Sequence, residues 1–234
     1  MNSIADIKHV YYINLDTRPD RKAHVENQLR SIGLGPVTTR FKAIRLANGA
    51  IGCSMSHLKL LEMAKENNLP HILIVEDDIL FTNVSLFVKQ MNSFLRVHKD
   101  FDVALIAGNN MPPYQRIDRT CVRVAQCQTT TGYLVQQHYY DTIIQNVKQG
   151  IEHLMREPHN HSLYAIDKYW FQLQRTGHWY LIIPLSVTQR EDYSDIEKRE
   201  INYTPAMLDL DKNGYFQSQR DQIVKANLGN FDWK

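Results

Sequence analysis

Residues 71–81 read "HILIVEDDILF", in which four apolar residues lead directly into Glu76, Asp77 and Asp78 before the chain becomes apolar again. A short apolar run of this kind predicts a buried strand. In open α/β sheets, ligands bind beyond the carboxyl ends of the strands, which is where these three acids fall. Because side chains alternate along an extended backbone, we expect Glu76 and Asp78 to project to one side and Asp77 to the other.

The flanking sequence alternates between strand-like and helix-like segments. We predict strands at 9–15, 71–75, 102–108, 121–126, 131–136 and 179–185, and helices at 16–33, 53–68, 84–98, 138–149 and 164–175. The segment 41–52 is predicted to be a polar, glycine-containing loop, and the chain from about residue 189 onward an irregular tail. This order indicates a single α/β domain with a mostly parallel, Rossmann-like sheet flanked by helices on both faces.

The composition is typical of a soluble globular protein, with 234 residues, of which 43% are hydrophobic and 22% charged. A net charge of +2, with Lys and Arg spread along the chain, predicts no nucleic-acid partner. No apolar run approaches the ~20 residues of a transmembrane helix, and the N-terminus does not resemble a secretory signal. Three cysteines without metal-type spacing favour a reduced, cytoplasmic location, and peripheral membrane contact stays open.

The acidic run has two interpretations from its residues alone. Two carboxylates that project into one crevice form a site for a hard divalent cation such as Mg²⁺ or Mn²⁺. Such an ion often bridges a diphosphate and offsets the charge that develops on a leaving group. A short acidic run after a strand is also common as a solvated loop or a helix N-cap. The residues leave both interpretations open.

Three stretches, in this order and spacing, resemble glycosyltransferase family 25: "INLDTRPDR" (13–21), "GAIGCSMSHL" (49–58) and "ILIVEDDILF" (72–81). Weaker similarities follow in "TTTGYLV" (129–135), "YAID" (164–167) and "PLSVTQREDYSDI" (184–196). The resemblance covers about residues 9–196. The family includes lipooligosaccharide glycosyltransferases and collagen hydroxylysine galactosyltransferases.

The resemblance implies a GT-A fold and an inverting transfer of a hexose, galactose or glucose, from a UDP-sugar. The implied acceptor is a hydroxyl group on a glycan, a glycolipid or a hydroxylysine-bearing protein, and the implied cofactor is Mn²⁺ or Mg²⁺. It also implies that residues 1–110 bind the nucleotide sugar and the metal and that residues 111–200 bind the acceptor. The polar composition of residues 201–234 predicts that they form an irregular tail.

The resemblance further implies roles for individual residues. Glu76 and Asp78 stand where the family places its metal motif, with Glu76 in place of the usual aspartate. The implied contacts to the nucleotide sugar are Asn14, Leu15, Arg18, Arg21, Ser56, His57 and Asp77. Simpler interpretations stay open: the arginines solvate the first helical turn, Ser54 and Ser56 cap the next helix, and His57 packs in the core.

An inverting transfer needs a general base that removes the proton of the acceptor hydroxyl. The resemblance points to Asp167 for this role, at the start of a predicted helix, with Asp195 as the second candidate. An aspartate at a helix start is equally well explained as an N-cap.

Two other functions remain as alternatives. A metal-dependent phosphohydrolase also places acids at strand ends, but it generally has a nucleophilic acid with an acidic partner after the first strand, and "INLD" has no acid two residues on. The other alternative is a non-catalytic nucleotide-sugar-binding module or a decayed transferase, and the intact acidic run together with "GCSMSH" (52–57) argues against decay.

Overall fold

The computed structural model of the protein describes residues 1–194, 199–214 and 217. The strands are β1 Val10–Asn14, β2 Thr38–Lys42, β3 His71–Glu76, β4 Ile79–Phe81, β5 Val103–Leu105, β6 Asn109–Asn110, β7 Gln115–Arg116, β8 Cys121–Arg123, β9 Cys127–Gln128, β10 Gly132–Gln136, β11 Trp179–Ile182, β12 Val187–Gln189, β13 Asp192–Ser194 and β14 Arg199–Ile201. The helices are α1 Pro19–Ser31, α2 Gly49–Glu66, α3 Val84–Val97, α4 Tyr140–Arg156, α5 His161–Tyr164, α6 Ile166–Tyr169, α7 Phe171–Thr176 and α8 Thr204–Met207.

The central sheet has the strand order β2-β1-β3-β10-β5-β11-β8-β7. Strands β1, β2 and β3 are parallel neighbours, as are β5 and β11. Strands β8 and β10 pair antiparallel with every neighbour they have in this sheet, so they run against the other six. The predicted α/β sheet, mostly parallel and flanked by helices, is therefore confirmed.

Strand β3 lies in the interior of the sheet and is buried on both faces. Ile72 and Ile74 belong to the core that α2 and α4 cover, whereas Leu73 and Val75 belong to the core under α1 and α3. Burial of each such side chain stabilises the fold by ~1.5–3 kcal/mol. The core therefore fixes the position at which β3 ends and Glu76 begins the acidic turn.

The prediction of a loop over 41–52 was wrong at both ends. Strand β2 is half-exposed at the edge of the sheet, so it lacks the apolar pattern of a buried strand, and it pairs in parallel with β1. Helix α2 begins at Gly49 because the Asn48 side chain caps it, accepting hydrogen bonds from the backbone nitrogens of Ala50 and Ile51. Gly52 lies inside this helix, where a Cβ would lie 2.5 Å from the carbonyl oxygen of Ile44.

Segments after residue 100 also depart from the predictions. The expected helix over 164–175 is divided into α5, α6 and α7, and the strand expected at 102–108 is limited to the three residues of β5. The expected irregular tail instead contains β12, the β13–β14 hairpin and α8, which is anchored by the buried Met207. Residues 215, 216 and 218–234 lie outside the described part. Within that part, no helix is both long enough and apolar enough to cross a membrane.

Replacing Asn48 by alanine should reduce the free energy of unfolding by about 1 kcal/mol, because the cap of α2 is lost. The matched control is Asn83→Ala, since Asn83 caps α3 through the backbone nitrogen of Leu86. Asn48 also donates to the carbonyl oxygen of Pro158, so its loss should loosen the segment before α5, which Asn83→Ala should leave intact. Urea unfolding measures the first effect and hydrogen exchange of residues 158–164 the second. Equal exchange in both variants would contradict this coupling.

Candidate active site

A cleft of about 1340 Å³ opens at the carboxyl ends of β1 and β3. Its walls come from the loop after β1, the segment 43–50, the acidic turn after β3, residues 128–130, the start of α6 and the residues around β12 and β13. A crevice of this kind forms at the carboxyl ends of two neighbouring parallel strands when the segments that follow them turn toward opposite faces of the sheet. The cleft therefore lies where the sequence predicted a ligand site.

The predicted alternation of the three acids was wrong. Strand β3 ends at Glu76, and Asp77 and Asp78 form a turn into β4, so the extended geometry does not continue. One guanidinium nitrogen, Nη1 of Arg21, lies 3.1 Å from Asp77 Oδ1 and 3.4 Å from Asp78 Oδ2. Asp77 and Asp78 therefore share one cation, while Glu76 faces a different set of groups.

Asp78 is the acid with the least compensation. Burial and the nearby charge of Glu76 raise its pKa well above the ordinary range, and Arg21 only partly opposes this. Its Oδ1 atom is buried and has no hydrogen-bond partner among the described residues. A buried carboxylate oxygen without a partner is costly, and a divalent cation would satisfy it.

Glu76 is held by polar side chains from the second half of the chain. Its Oε1 accepts a hydrogen bond of 2.8 Å from the Thr130 hydroxyl, and its Oε2 accepts one of 3.2 Å from the Gln189 amide. Burial opposes ionisation of Glu76, but His57, Thr130 and Arg21 outweigh it and lower the pKa. Glu76 is therefore a charged group with both oxygens engaged.

His57 is fully buried on α2, beneath Glu76. Its Nδ1 lies 2.8 Å from the Tyr133 hydroxyl, and its Nε2 lies 3.7 Å from Glu76 Oε1, too far for a hydrogen bond. Nε2 has no partner among the described residues. The structure thus places His57 both in the core and beside the cleft.

Asn14 connects the first loop to the acidic turn. Its amide nitrogen donates to Asp77 Oδ2 at 2.7 Å and to the Arg18 carbonyl oxygen at 3.0 Å. Its Oδ1 accepts from Arg40 Nε at 3.0 Å. Through these contacts Asn14 holds the loop after β1 in place against the acidic turn. Asn14 and its neighbour Leu15 both line the cleft.

Arg18 and Arg21 lie at the start of α1, facing the cleft. Arg18 Nη2 lies 2.7 Å from Asp192 Oδ2, and Arg21 Nε lies 3.1 Å from the same oxygen. Asp192, on β13, also pairs with Arg190 at 2.9 Å. The arginines therefore do more than solvate a helical turn, since they join α1 to the distant residues around β13.

Ser54 and Ser56 do not cap α2, because the helix begins five and seven residues before them. Each hydroxyl instead donates to the backbone carbonyl four residues earlier, Ala50 and Gly52 respectively. Ser56 Oγ in addition accepts from the backbone nitrogen of Ile44 at 2.8 Å. Ser56 thus anchors the segment 43–48, which forms one wall of the cleft.

Asp167 lies in the first turn of α6 and lines the same cleft as Arg18 and Arg21. Burial raises its pKa, although Lys168 and the hydrogen bond from the Thr129 backbone nitrogen work against this. Thr129 has φ = 77°, a conformation that β-branched residues rarely adopt. Strained backbone of this kind concentrates at functional sites. Asp195, the second candidate base, lies outside the described residues.

Four residues of this site were not predicted from the sequence: Cys53, Thr130, Gln189 and Asp192. Thr130 and Gln189 contact Glu76, and Asp192 contacts Arg21. These partners are separated in sequence by 54, 113 and 171 positions respectively, and sequence spacing gives no signal for contacts over such separations. Cys53 had a readable signal, because it precedes His57 by four residues and therefore shares its helical face.

A family model described as "Glycosyltransferase family 25 (LPS biosynthesis protein)" matches residues 37–168, more than half of the chain. The chain belongs to glycosyltransferase family 25. The matched segment includes α2 with His57, the acidic turn and Asp167, and it confirms the family that the sequence motifs indicated.

Other similarities of this family 25 chain are more distant. A protein of Haemophilus influenzae, named as a candidate glycosyltransferase, is 29% identical over 92 residues, which cover 31% of this chain and 33% of the relative. The match thus spans about one third of the relative's length. A crystal structure of a glycosyltransferase involved in glycosylation of the major capsid of PBCV-1 aligns with a TM-score of 0.43 and 11% identity, over 74% of this chain and 80% of that one. GlyE of Streptococcus pneumoniae aligns with a TM-score of 0.43 and 8% identity, over 76% and 45%.

Replacing Ser56 by alanine should lower the free energy of unfolding by ~1–3 kcal/mol, because the Ile44 backbone nitrogen loses its partner. Ser54→Ala is the matched control, since Ser54 is equally buried on the same helix but makes no bond to the segment 43–48. Urea unfolding of both variants measures the difference. A loss in Ser54→Ala as large as in Ser56→Ala would contradict the anchoring role.

Proposed function

We propose that this chain transfers a hexose, galactose or glucose, from a UDP-sugar to a hydroxyl group of a glycan, a glycolipid or a hydroxylysine-bearing protein, with inversion at the anomeric carbon. The observation that carries the proposal is the buried Oδ1 of Asp78, at the carboxyl end of β3 in the large cleft, which has no hydrogen-bond partner in the part of the chain that the structure describes. Membership of family 25 supports the reaction class.

The donor set at the acidic turn fits a hard divalent cation. Asp78 offers a carboxylate oxygen that no described residue hydrogen-bonds, and Glu76 adds negative charge beside it. Mg²⁺ and Mn²⁺ prefer oxygen ligands of this kind. When bound, such an ion would stabilise the negative charge of the leaving nucleoside diphosphate.

The groups around the acidic turn suit the remainder of a nucleotide sugar. Arg18 and Arg21 present planar guanidinium groups at the edge of the cleft, a geometry that matches phosphate oxygens. Asn14 and Leu15 line the cleft beside these arginines, and Asp77 accepts a hydrogen bond from the Asn14 amide. The cleft of about 1340 Å³ exceeds the ~300–1,000 Å³ of single-ligand sites, so there is room for a donor and an acceptor together.

Asp167 is the group that we assign as the general base. Burial raises its pKa, which brings the carboxylate closer to the basicity that proton transfer requires. Thr129 holds one carboxylate oxygen through its backbone nitrogen. The carboxylate would take the proton of the acceptor hydroxyl while the hydroxyl oxygen bonds to the anomeric carbon and the diphosphate leaves from the opposite side.

The position of Asp16 argues against the phosphohydrolase alternative. This acid, the first after β1, is half-exposed and forms ion pairs with Arg40 and Lys42 outside the acidic turn. It does not line the cleft in the way that a nucleophile of that class would.

Purified protein incubated with a panel of UDP- and GDP-sugars should release free nucleotide from one UDP-hexose, with Mn²⁺ present and not with chelator. Asp78→Asn should lower this rate about 100-fold or more, since the metal contributes several kcal/mol of charge stabilisation. Asp141→Asn is the control, because Asp141 is an exposed acid that pairs with Lys65 outside the cleft. Asp167→Asn should retain UDP binding and lose transfer to an acceptor.

Three results would contradict the proposal. Nucleotide release that is unaffected by chelator would contradict the role of the metal, and full activity of Asp78→Asn would contradict the role of that carboxylate. Metal-dependent binding of UDP without turnover, on any donor and with added glycan acceptors, would support a non-catalytic binding module instead.

A further inference from the structure

Cys53, His57 and Glu76 bring three different metal-ligating atoms together on the floor of the cleft. These atoms, a thiol sulfur, an imidazole nitrogen and a carboxylate oxygen, all lie within 4.8 Å of one another. We propose that they form a binding site for a borderline-soft divalent cation such as Zn²⁺, separate from the oxygen site at Asp78. This inference goes beyond the proposed function, because it requires neither a sugar donor nor an acceptor.

Two of the three distances between the ligand atoms are close to those of a tetrahedral zinc site. With usual zinc–ligand bond lengths, an imidazole nitrogen and a carboxylate oxygen lie about 3.3 Å apart, and a sulfur and an oxygen about 3.6 Å apart. Here His57 Nε2 lies 3.7 Å and Cys53 Sγ 3.8 Å from Glu76 Oε1, so movements of a few tenths of an ångström would bring both pairs to zinc distances. The third pair, Cys53 Sγ and His57 Nε2, lies within 4.8 Å.

His57 supplies the observation that points to a ligand. Its side chain is fully buried, and Nε2, which faces Glu76, has no hydrogen-bond partner among the described residues. Nδ1 lies 2.8 Å from the Tyr133 hydroxyl, so an Nδ1–H can donate to that oxygen and leave the lone pair of Nε2 directed at Glu76. Metal-binding histidines usually have such a partner on the second ring nitrogen.

Cys53 is the ligand that gives the site its preference. It lies four residues before His57 on α2, so both side chains leave the same helical face, and it lines the cleft. Burial and the charge of Glu76 raise the pKa of its thiol, which is therefore protonated without a cation. Binding would replace the S–H bond by a sulfur–metal bond and release one proton to solvent.

A second cluster with the same residue types, His98, Asp118 and Cys121, does not share these features. His98 Nε2 and Asp118 Oδ2 are 2.9 Å apart, an ordinary hydrogen-bond distance and shorter than a zinc site requires. His98 Nε2 therefore already has a hydrogen-bond partner, whereas Nε2 of His57 has none among the described residues. The carboxylates do not differ in this way, since Asp118 Oδ1 accepts from Thr120 and Glu76 Oε1 accepts from Thr130. The second cluster serves as an internal control.

The proposed site has three protein ligands and faces the cleft, which leaves a fourth tetrahedral position for water or a substrate oxygen. Zinc sites with an open position of this kind exchange ligands, whereas four-ligand structural sites do not. A cation here would also fix Glu76, the first residue of the acidic turn.

Titration of the metal-free protein with Co²⁺, a spectroscopic substitute for Zn²⁺, tests the proposal without any sugar. We expect one Co²⁺ to bind per chain, with a thiolate-to-cobalt charge-transfer band, and Zn²⁺ to displace it. Cys53→Ser should abolish the band, and Cys121→Ser should leave it unchanged. Asp78→Asn should also leave it, and Tyr133→Phe should weaken Co²⁺ binding roughly tenfold through loss of the partner of His57.

A second measurement on the unmodified protein covers the case in which Cys53→Ser fails to fold. Cys53 is half-buried and lines the cleft, whereas Cys121 and Cys127 are buried, so iodoacetamide should label Cys53 first in the native protein. One equivalent of Zn²⁺ should slow this labelling at least about tenfold, because the cation withdraws electron density from the bound sulfur and blocks access to it, so the sulfur is a weaker nucleophile than a free thiolate.

Three results would overturn the proposal. The first is the absence of a charge-transfer band together with labelling of Cys53 that Zn²⁺ does not slow. The second is a band that depends on Cys121. The third is a band that is lost in Asp78→Asn, which would indicate one shared cation at the acidic turn. Each of these outcomes is independent of whether the donor panel shows nucleotide release.

Discussion

Three consecutive carboxylates at the end of a strand that is buried on both faces are the constraint on which the site depends. Like charges at low dielectric are costly unless each is paired or hydrogen-bonded. Asp77 is compensated by Asn14 and Arg21, and Glu76 by side chains from the far half of the chain. Among the described residues, Asp78 shares the guanidinium of Arg21 with Asp77, and its Oδ1 has no hydrogen-bond partner. A cation bound in the cleft would therefore be stabilised most by Asp78 Oδ1.

The compensation of these charges also assembles the cleft. Because Arg21 pairs with Asp192 as well as with the acidic turn, it joins α1 to β13. Gln189 and Thr130 converge on Glu76 from two other segments, and Asn14 ties the first loop to Asp77. Loss of one acid would thus weaken contacts among several segments at once. For this reason a replacement of aspartate by asparagine, which keeps the shape of the side chain, tests the role of the charge with less disturbance of the cleft than a replacement by alanine.

The sequence predicted those parts of the structure that depend on local patterns. The apolar run of β3, the helices with apolar residues at helical spacing and the position of the acids at a strand end all follow from neighbouring residues. Strand β2 was missed because an edge strand is half-exposed, and the reversed direction of β10 is set by pairing with β3 and β5. The partners of Glu76 and Arg21 at Gln189 and Asp192 lie 113 and 171 residues away, beyond any local pattern.

In the proposed function, the carboxyl end of β3 binds a nucleotide through a cation held by Asp78. The sharpest test is calorimetric titration of UDP into the protein, with Mn²⁺ and then with chelator. We expect binding that requires Mn²⁺ and is lost in Asp78→Asn while Asp141→Asn binds normally. Binding of UDP that is equally strong in chelator, or the absence of UDP binding in the presence of Mn²⁺, would contradict it.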